Sequence, residues 1–288
     1  MWDLLCVYVF YCGSKLLKRS LRFTGFIHSI SDIGFTMIPA SDRKFFREHR
    51  FALVQLLPFL VLGIGVPVGL SLTGALDKKW LIMGAATWLL ALGIKTIPFF
   101  LGFIFPRVHI SSGNIYLISA AEGVLSAIAE LGLAFAYFIY NRDELSLNGI
   151  LSFGLGVGFA EVLLIAYLLL EDIETISDGI KKDNARGFVL WRPMLERLLA
   201  IAGHVLSRGI LGLVILFGYP YWIFLLPFLS FAFVDGWAGY ISRKWDLNKL
   251  SVLRRINVIH ILVVLFEAAV FFCLFLFQRS VRFLLNAI

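Results

Sequence analysis

The stretch at residues 148–170, NGILSFGLGVGFAEVLLIAYLLL, decides the fold. It runs for 23 residues with one charged side chain, Glu161. At a rise of about 1.5 Å per residue, a helix of this length covers the roughly 30 Å hydrocarbon core of a bilayer. The run lacks the period-two alternation of a barrel strand, so the spanning element is a helix whose backbone groups pair within it. Six comparable runs lie at 51–76, 80–105, 115–140, 193–218, 219–242 and 256–278. The chain is predicted to be an all-α polytopic membrane protein of about seven transmembrane helices, or eight if a further span precedes residue 50. Pro58, Pro67, Pro98 and Pro227 fall inside spans and are expected to kink them.

Composition points the same way. Of 288 residues, 60% are hydrophobic and 16% charged, and the mean hydropathy of +0.88 lies outside the range of soluble domains. The net charge of +7 raises the question of nucleic acid. The basic residues flank apolar runs, however, as juxtamembrane anchors do, so no nucleic-acid partner is expected. Gly154, Gly156 and Gly158 follow no strand, which argues against nucleotide binding. They form a packing motif that also lets a backbone or a substrate approach Glu161. Cys6, Cys12 and Cys273 form neither a disulfide framework nor a metal motif.

Residues 1–50 are distinct. An 11-residue apolar stretch is followed, not preceded, by Lys15, Lys18, Arg19 and Arg22, which is the wrong order for a signal peptide. A basic interfacial segment on the cytoplasmic side is expected there, ahead of a single membrane domain at 51–288. The polar connection 171–192 is expected to be a surface helix. Lys and Arg in the connections divide 18 to five between the two sides. By the positive-inside rule this puts the N-terminus in the cytoplasm and the C-terminus outside, in the cell membrane.

That orientation converts position into depth. From the cytoplasmic end, Asp235 lies about 10 Å deep, Glu122 about 11 Å, Glu161 about 14 Å, Lys95 about 15 Å, and His204 and Glu267 about 16 Å. Charged groups at such depths persist where they face one another or a water-filled cavity, so a site is expected within 115–242. Glu130 and Arg208, both at about 22 Å, form a deeper pair. Arg197, His204 and Arg208 share one helical stripe. Plainer readings stand beside these: His204 as an interhelical hydrogen bond, Glu196–Arg197 as an interfacial pair, and Lys95–Glu267 as a structural ion pair.

Residues 151–165, LSFGLGVGFAEVLLI, and 195–211, LERLLAIAGHVLSRGIL, resemble the Gly-rich segment ending in Glu and the Glu-Arg, His and Ser segment of the YhfC-type intramembrane metalloproteases. These are relatives of the PrsW and CAAX-prenyl (ABI) protease families. FAFVDG at 231–236 and AELGL at 129–133 sit where further family motifs fall. The resemblance implies hydrolysis of a membrane-proximal peptide bond in a membrane protein or peptide substrate, with membrane lipids around it. It implies catalytic roles for Glu130, Glu161 and His204, with Glu130 as general base. Glu122, Glu196, Arg197, Ser207, Arg208 and Asp235 would support them. A divalent metal, zinc by ligand type, would be held by Glu161, His204 and Asp235, or the same groups would polarise water directly. Ala129, Leu133, Val157 and Phe231 depart from the pattern, and Val157 and Phe231 replace histidines. Two alternatives therefore stay open: a catalytically inactive scaffold or binding protein of the same fold, and an ion-coupled carrier.

Overall fold

The computed structural model describes residues 57–104, 114–171, 186–245 and 250–286, so the 1–50 segment and most of the 171–192 connection lie outside the described residues. Seven helices follow in order: α1 (Leu57–Leu72), α2 (Lys78–Ile104), α3 (Ile115–Tyr140), α4 (Leu147–Glu171), α5 (Arg186–Phe217), α6 (Leu225–Lys244) and α7 (Leu250–Asn286). No strand occurs among the described residues. Six helices, α2 to α7, hold stretches long and apolar enough to cross a membrane; α1 is shorter. The protein is an all-α polytopic membrane protein.

The prolines act by position. Ahead of Pro67, which has no N–H to give, α1 opens into a π-helical turn over Val61–Gly65. Pro227 falls in the first turn of α6, where its missing N–H costs nothing. Helix α5 begins at Arg186 and continues through Pro193, earlier than the sequence suggested.

One end of the bundle carries short, well-capped turns. Asp77 Oδ1 accepts from the backbone N–H of Lys79 at 3.0 Å, while its own N–H donates to Ser152 Oγ at 2.9 Å. Ser146 Oγ accepts from Gly149 N at 3.0 Å, capping α4. Gly218, at φ 68°, ends α5 in the left-handed region, and Tyr219 N donates back to Val214 O at 3.0 Å. Trp80, Phe138 and Phe153 are buried together beside these turns. The opposite end carries Arg243, Lys244, Arg254 and Arg255 and is called the basic end.

Packing between helices follows the glycines. Helix α4 lies between α2 and α5, α3 packs on α6, and α7 packs on α5. Residues four apart share a face of a helix, and residues two apart face nearly opposite ways. Gly154 and Gly158 accordingly meet the α5 backbone at Val205 and Ile201, while Gly156 meets α2. A Cβ on Gly156 would stand 2.0 Å from Leu81 O, and one on Gly84 would stand 2.1 Å from Phe153 O. The Gly-x-Gly-x-Gly run thus brings backbones, not a substrate, against α4. By contrast, α6 packs only loosely on α5 and α7.

Gly156→Ala should lower stability by about 1–3 kcal/mol, the cost of overpacking. Gly93→Ala, with open space around it, should leave stability unchanged or raised. Unfolding midpoints in detergent measure both, and an unshifted Gly156→Ala would contradict the α2–α4 crossing.

Candidate functional site

Five helices, α2 to α6, meet at a buried ionic cluster. Helix α5 presents Arg197, His204 and Arg208 along one stripe, because seven- and four-residue spacings repeat a helical face. Arg197 Nη1 donates to Glu161 Oε1 of α4 at 2.6 Å, and His204 Nε2 lies 2.5 Å from Glu161 Oε2. Arg208 Nη2 donates to Glu130 Oε2 of α3 at 2.5 Å, and Arg208 Nη1 lies 2.9 Å from His204 Nδ1. Lys95 of α2 donates to Glu130 Oε1, and its Nζ is 3.9 Å from Asp235 Oδ2 of α6. Ser126 donates to that same Asp235 oxygen. Lys95, Glu130, Glu161, Arg197, His204 and Arg208 are all buried.

This geometry assigns the His204 tautomer. A guanidinium can only donate, so Nδ1 accepts from Arg208 and the ring proton sits on Nε2, donated to Glu161. Both ring nitrogens are then in use. Ser207 donates to Gly203 O at 2.7 Å and accepts from Arg208 at 3.0 Å, so it orients Arg208. Phe231, where the resembled family would place a histidine, lies 5.9 Å from the His204 ring and 5.0 Å from the Arg208 guanidinium carbon. It covers the cations with its ring face.

Beside the cluster lies a cavity of about 230 Å³. Glu130, Glu161, Arg197, His204, Asp235 and Glu267 line it at mid-depth, and Glu196 and Ser242 line it nearer the basic end. Its long walls are apolar: Val234, Ala238 and Ile241 from α6 face Ile256, Ile259 and Val263 from α7. It therefore occupies the slot left by the loose α6–α7 packing.

The sequence expectations divide accordingly. Glu130, Glu161, Glu196, Arg197, His204 and Asp235 line one cavity, and Arg208 and Ser207 back it. Glu122 lies apart: it pairs with Arg243 at 2.8 Å, with 37% of its side chain exposed. Glu130 and Arg208 do pair, but within the main cluster rather than in a separate deeper layer, because their long side chains span the offset in helical rise. The expected Lys95–Glu267 pair does not form. Lys95 bonds Glu130 on α3, while Glu267 on α7 accepts from Ser230 at 2.5 Å. Arg197 pairs with Glu161 rather than resting at the interface. His260, Trp88 and Trp237 also line the cavity and went unread in the sequence. The seven-residue spacing of His260 and Glu267 was the available signal, since it places both on one face of α7.

A metal fits these residues poorly. Glu161, His204 and Asp235 line the same cavity, yet among the described residues no three His, Cys, Asp or Glu side chains gather as a ligand set. His204 has no free lone pair, and an ion at Glu161 would compete with Arg197. The arrangement is suited to holding charge internally and presenting a polar floor to an apolar slot.

Glu130→Ala strands Lys95 and Arg208 without their shared carboxylate and should cost about 3–5 kcal/mol. Glu122→Ala, at a partly exposed pair, should cost less than about 1 kcal/mol. Equal unfolding midpoints for the two variants would refute the distinction. Compared with known proteins, the chain matches no family model, no curated protein and no solved structure.

Proposed function

We propose that this protein is a membrane-embedded binding protein that takes an apolar chain into the slot between α6 and α7, with the chain's polar end against the ionic floor. One observation carries this reading: an apolar-walled cavity ends on a cluster whose cations are already held by carboxylates. Such a floor offers hydrogen bonds at one depth, and the walls offer burial of hydrocarbon.

A second reading, intramembrane peptidase activity in a metal-free form, draws on the Glu161–His204 contact at the cavity wall. The family resemblance around these two residues points the same way. Glu161 would orient water, and His204 would stabilise charge on the attacked carbonyl. Against it, Arg197 takes one oxygen of Glu161 and His204 the other, so neither is left free to orient a water.

A bromine-terminated dodecanol separates the readings by quenching the cavity tryptophans, Trp88 and Trp237. The full-length protein should show saturable quenching, and Ala238→Trp, which fills the slot, should weaken it by about tenfold or more. No saturable quenching in the wild type refutes binding. Cleavage of a membrane-peptide library by the wild type and not by Glu161→Ala would replace binding with hydrolysis.

We also infer that the basic end faces the cytoplasm, from the charge imbalance of the connections. A reporter enzyme that is active only outside the cell, fused after Ile288, should be active. An inactive fusion that is expressed and inserted would reverse the orientation.

A further inference from the structure

Four carboxylates converge at the cavity floor, Glu130, Glu161, Asp235 and Glu267, against three cationic side chains, Lys95, Arg197 and Arg208. Glu130, Glu161 and Asp235 each have a cationic nitrogen within 4.0 Å, whereas among the described residues Glu267 has none. Glu267 is 2% exposed, yet its one hydrogen bond among the described residues comes from a neutral hydroxyl, Ser230, to Oε1. Arg208 is engaged elsewhere, by Glu130 and His204.

The other oxygen, Oε2, faces Gly203. A Cβ there would stand 4.0 Å from it, in ordinary contact, so the missing side chain leaves a methyl-sized gap beside the carboxylate on the cavity wall. Asp235 adds a second spare oxygen, since Ser126 and Lys95 both approach its Oδ2. His260 is seven residues from Glu267 on α7, about 10 Å along the axis, too far to be its partner.

We propose that the slot is selective for a single-chain amphiphile with a protonated amine head, seated between Glu267 and Asp235 with its hydrocarbon between α6 and α7. A buried carboxylate short of one counter-charge gains most from a ligand that brings it, and an ammonium supplies both charge and three N–H donors. The volume of about 230 Å³ is small beside drug-sized pockets, which commits the site to one chain rather than to a peptide helix or a two-chain lipid.

This inference rests on the binding reading, and the test separates the two. Dodecylamine, dodecanol and dodecanoate compete against the bromine-terminated dodecanol on the full-length protein in detergent at neutral pH. Dodecylamine should compete about 30-fold better than dodecanol, and dodecanoate should compete worst. In Glu267→Gln the amine's advantage over the alcohol should shrink to about threefold or less. Dodecanol and dodecylamine competing equally in the wild type would overturn the charge selectivity while leaving the slot a binding site, and that comparison holds even if the variant does not fold. An unchanged advantage in a folded Glu267→Gln would remove Glu267 from the site. Better competition from a membrane-spanning peptide with one central lysine than from dodecylamine would overturn the single-chain assignment. Failure of the bromine-terminated dodecanol itself to bind would sink the binding reading first.

Discussion

The fold depends on pairing the cations that lie inside an apolar bundle with carboxylates from neighbouring helices. An ionised group taken out of water loses several kcal/mol of solvation, and only a well-placed opposite charge with further hydrogen bonds returns it. Glu161 meets this condition between Arg197 and His204, and Glu130 meets it between Lys95 and Arg208. Because those partners come from α2, α3, α4 and α5, the pairs also fix how the four helices stand against one another. Burial of hydrocarbon does not order helices in a bilayer as it does in water, so charge pairing and close backbone contact must supply the specificity.

Close contact comes from small residues. Gly154 and Gly158 admit α5 on one face of α4, and Gly156 admits α2 on the other. Gly123 and Gly236 do the same for α3 and α6. This tight packing brings Glu161 within reach of the α5 stripe. Where small-residue contact stops, between α6 and α7, the helices separate and the cavity begins. The rigid cluster and the open slot are thus two results of one distribution of small side chains. Phe231 joins them, covering the cations on one side and lining the slot on the other.

The proposed binding role rests on how little of the cluster is left over. Arg197, Arg208 and Lys95 are committed to carboxylates, and both nitrogens of His204 are engaged. What remains for an incoming molecule is the hydrocarbon of the walls and the spare oxygens of Asp235 and Glu267. Those features favour recognition over reaction, and they favour a ligand that donates hydrogen bonds and carries positive charge.

The helices themselves were legible in the residues. Each run of about 20 apolar side chains must become a helix, because an unpaired backbone cannot enter hydrocarbon, and the depth of Glu161, His204 and Asp235 follows from helical rise alone. The stripe of Arg197, His204 and Arg208 was legible for the same reason, since its spacing depends only on local geometry. Partnership was not. Lys95 and Glu267 share a depth but face different neighbours, Glu122 shares it and turns outward to Arg243, and the spacing that puts His260 on the Glu267 face of α7 does not say that this face lines a cavity. Depth is set by position along one helix, whereas direction depends on how each helix is rotated against the others. Contacts between residues far apart in the chain fix that rotation, so only the packed bundle decided which charges meet and where the slot opens.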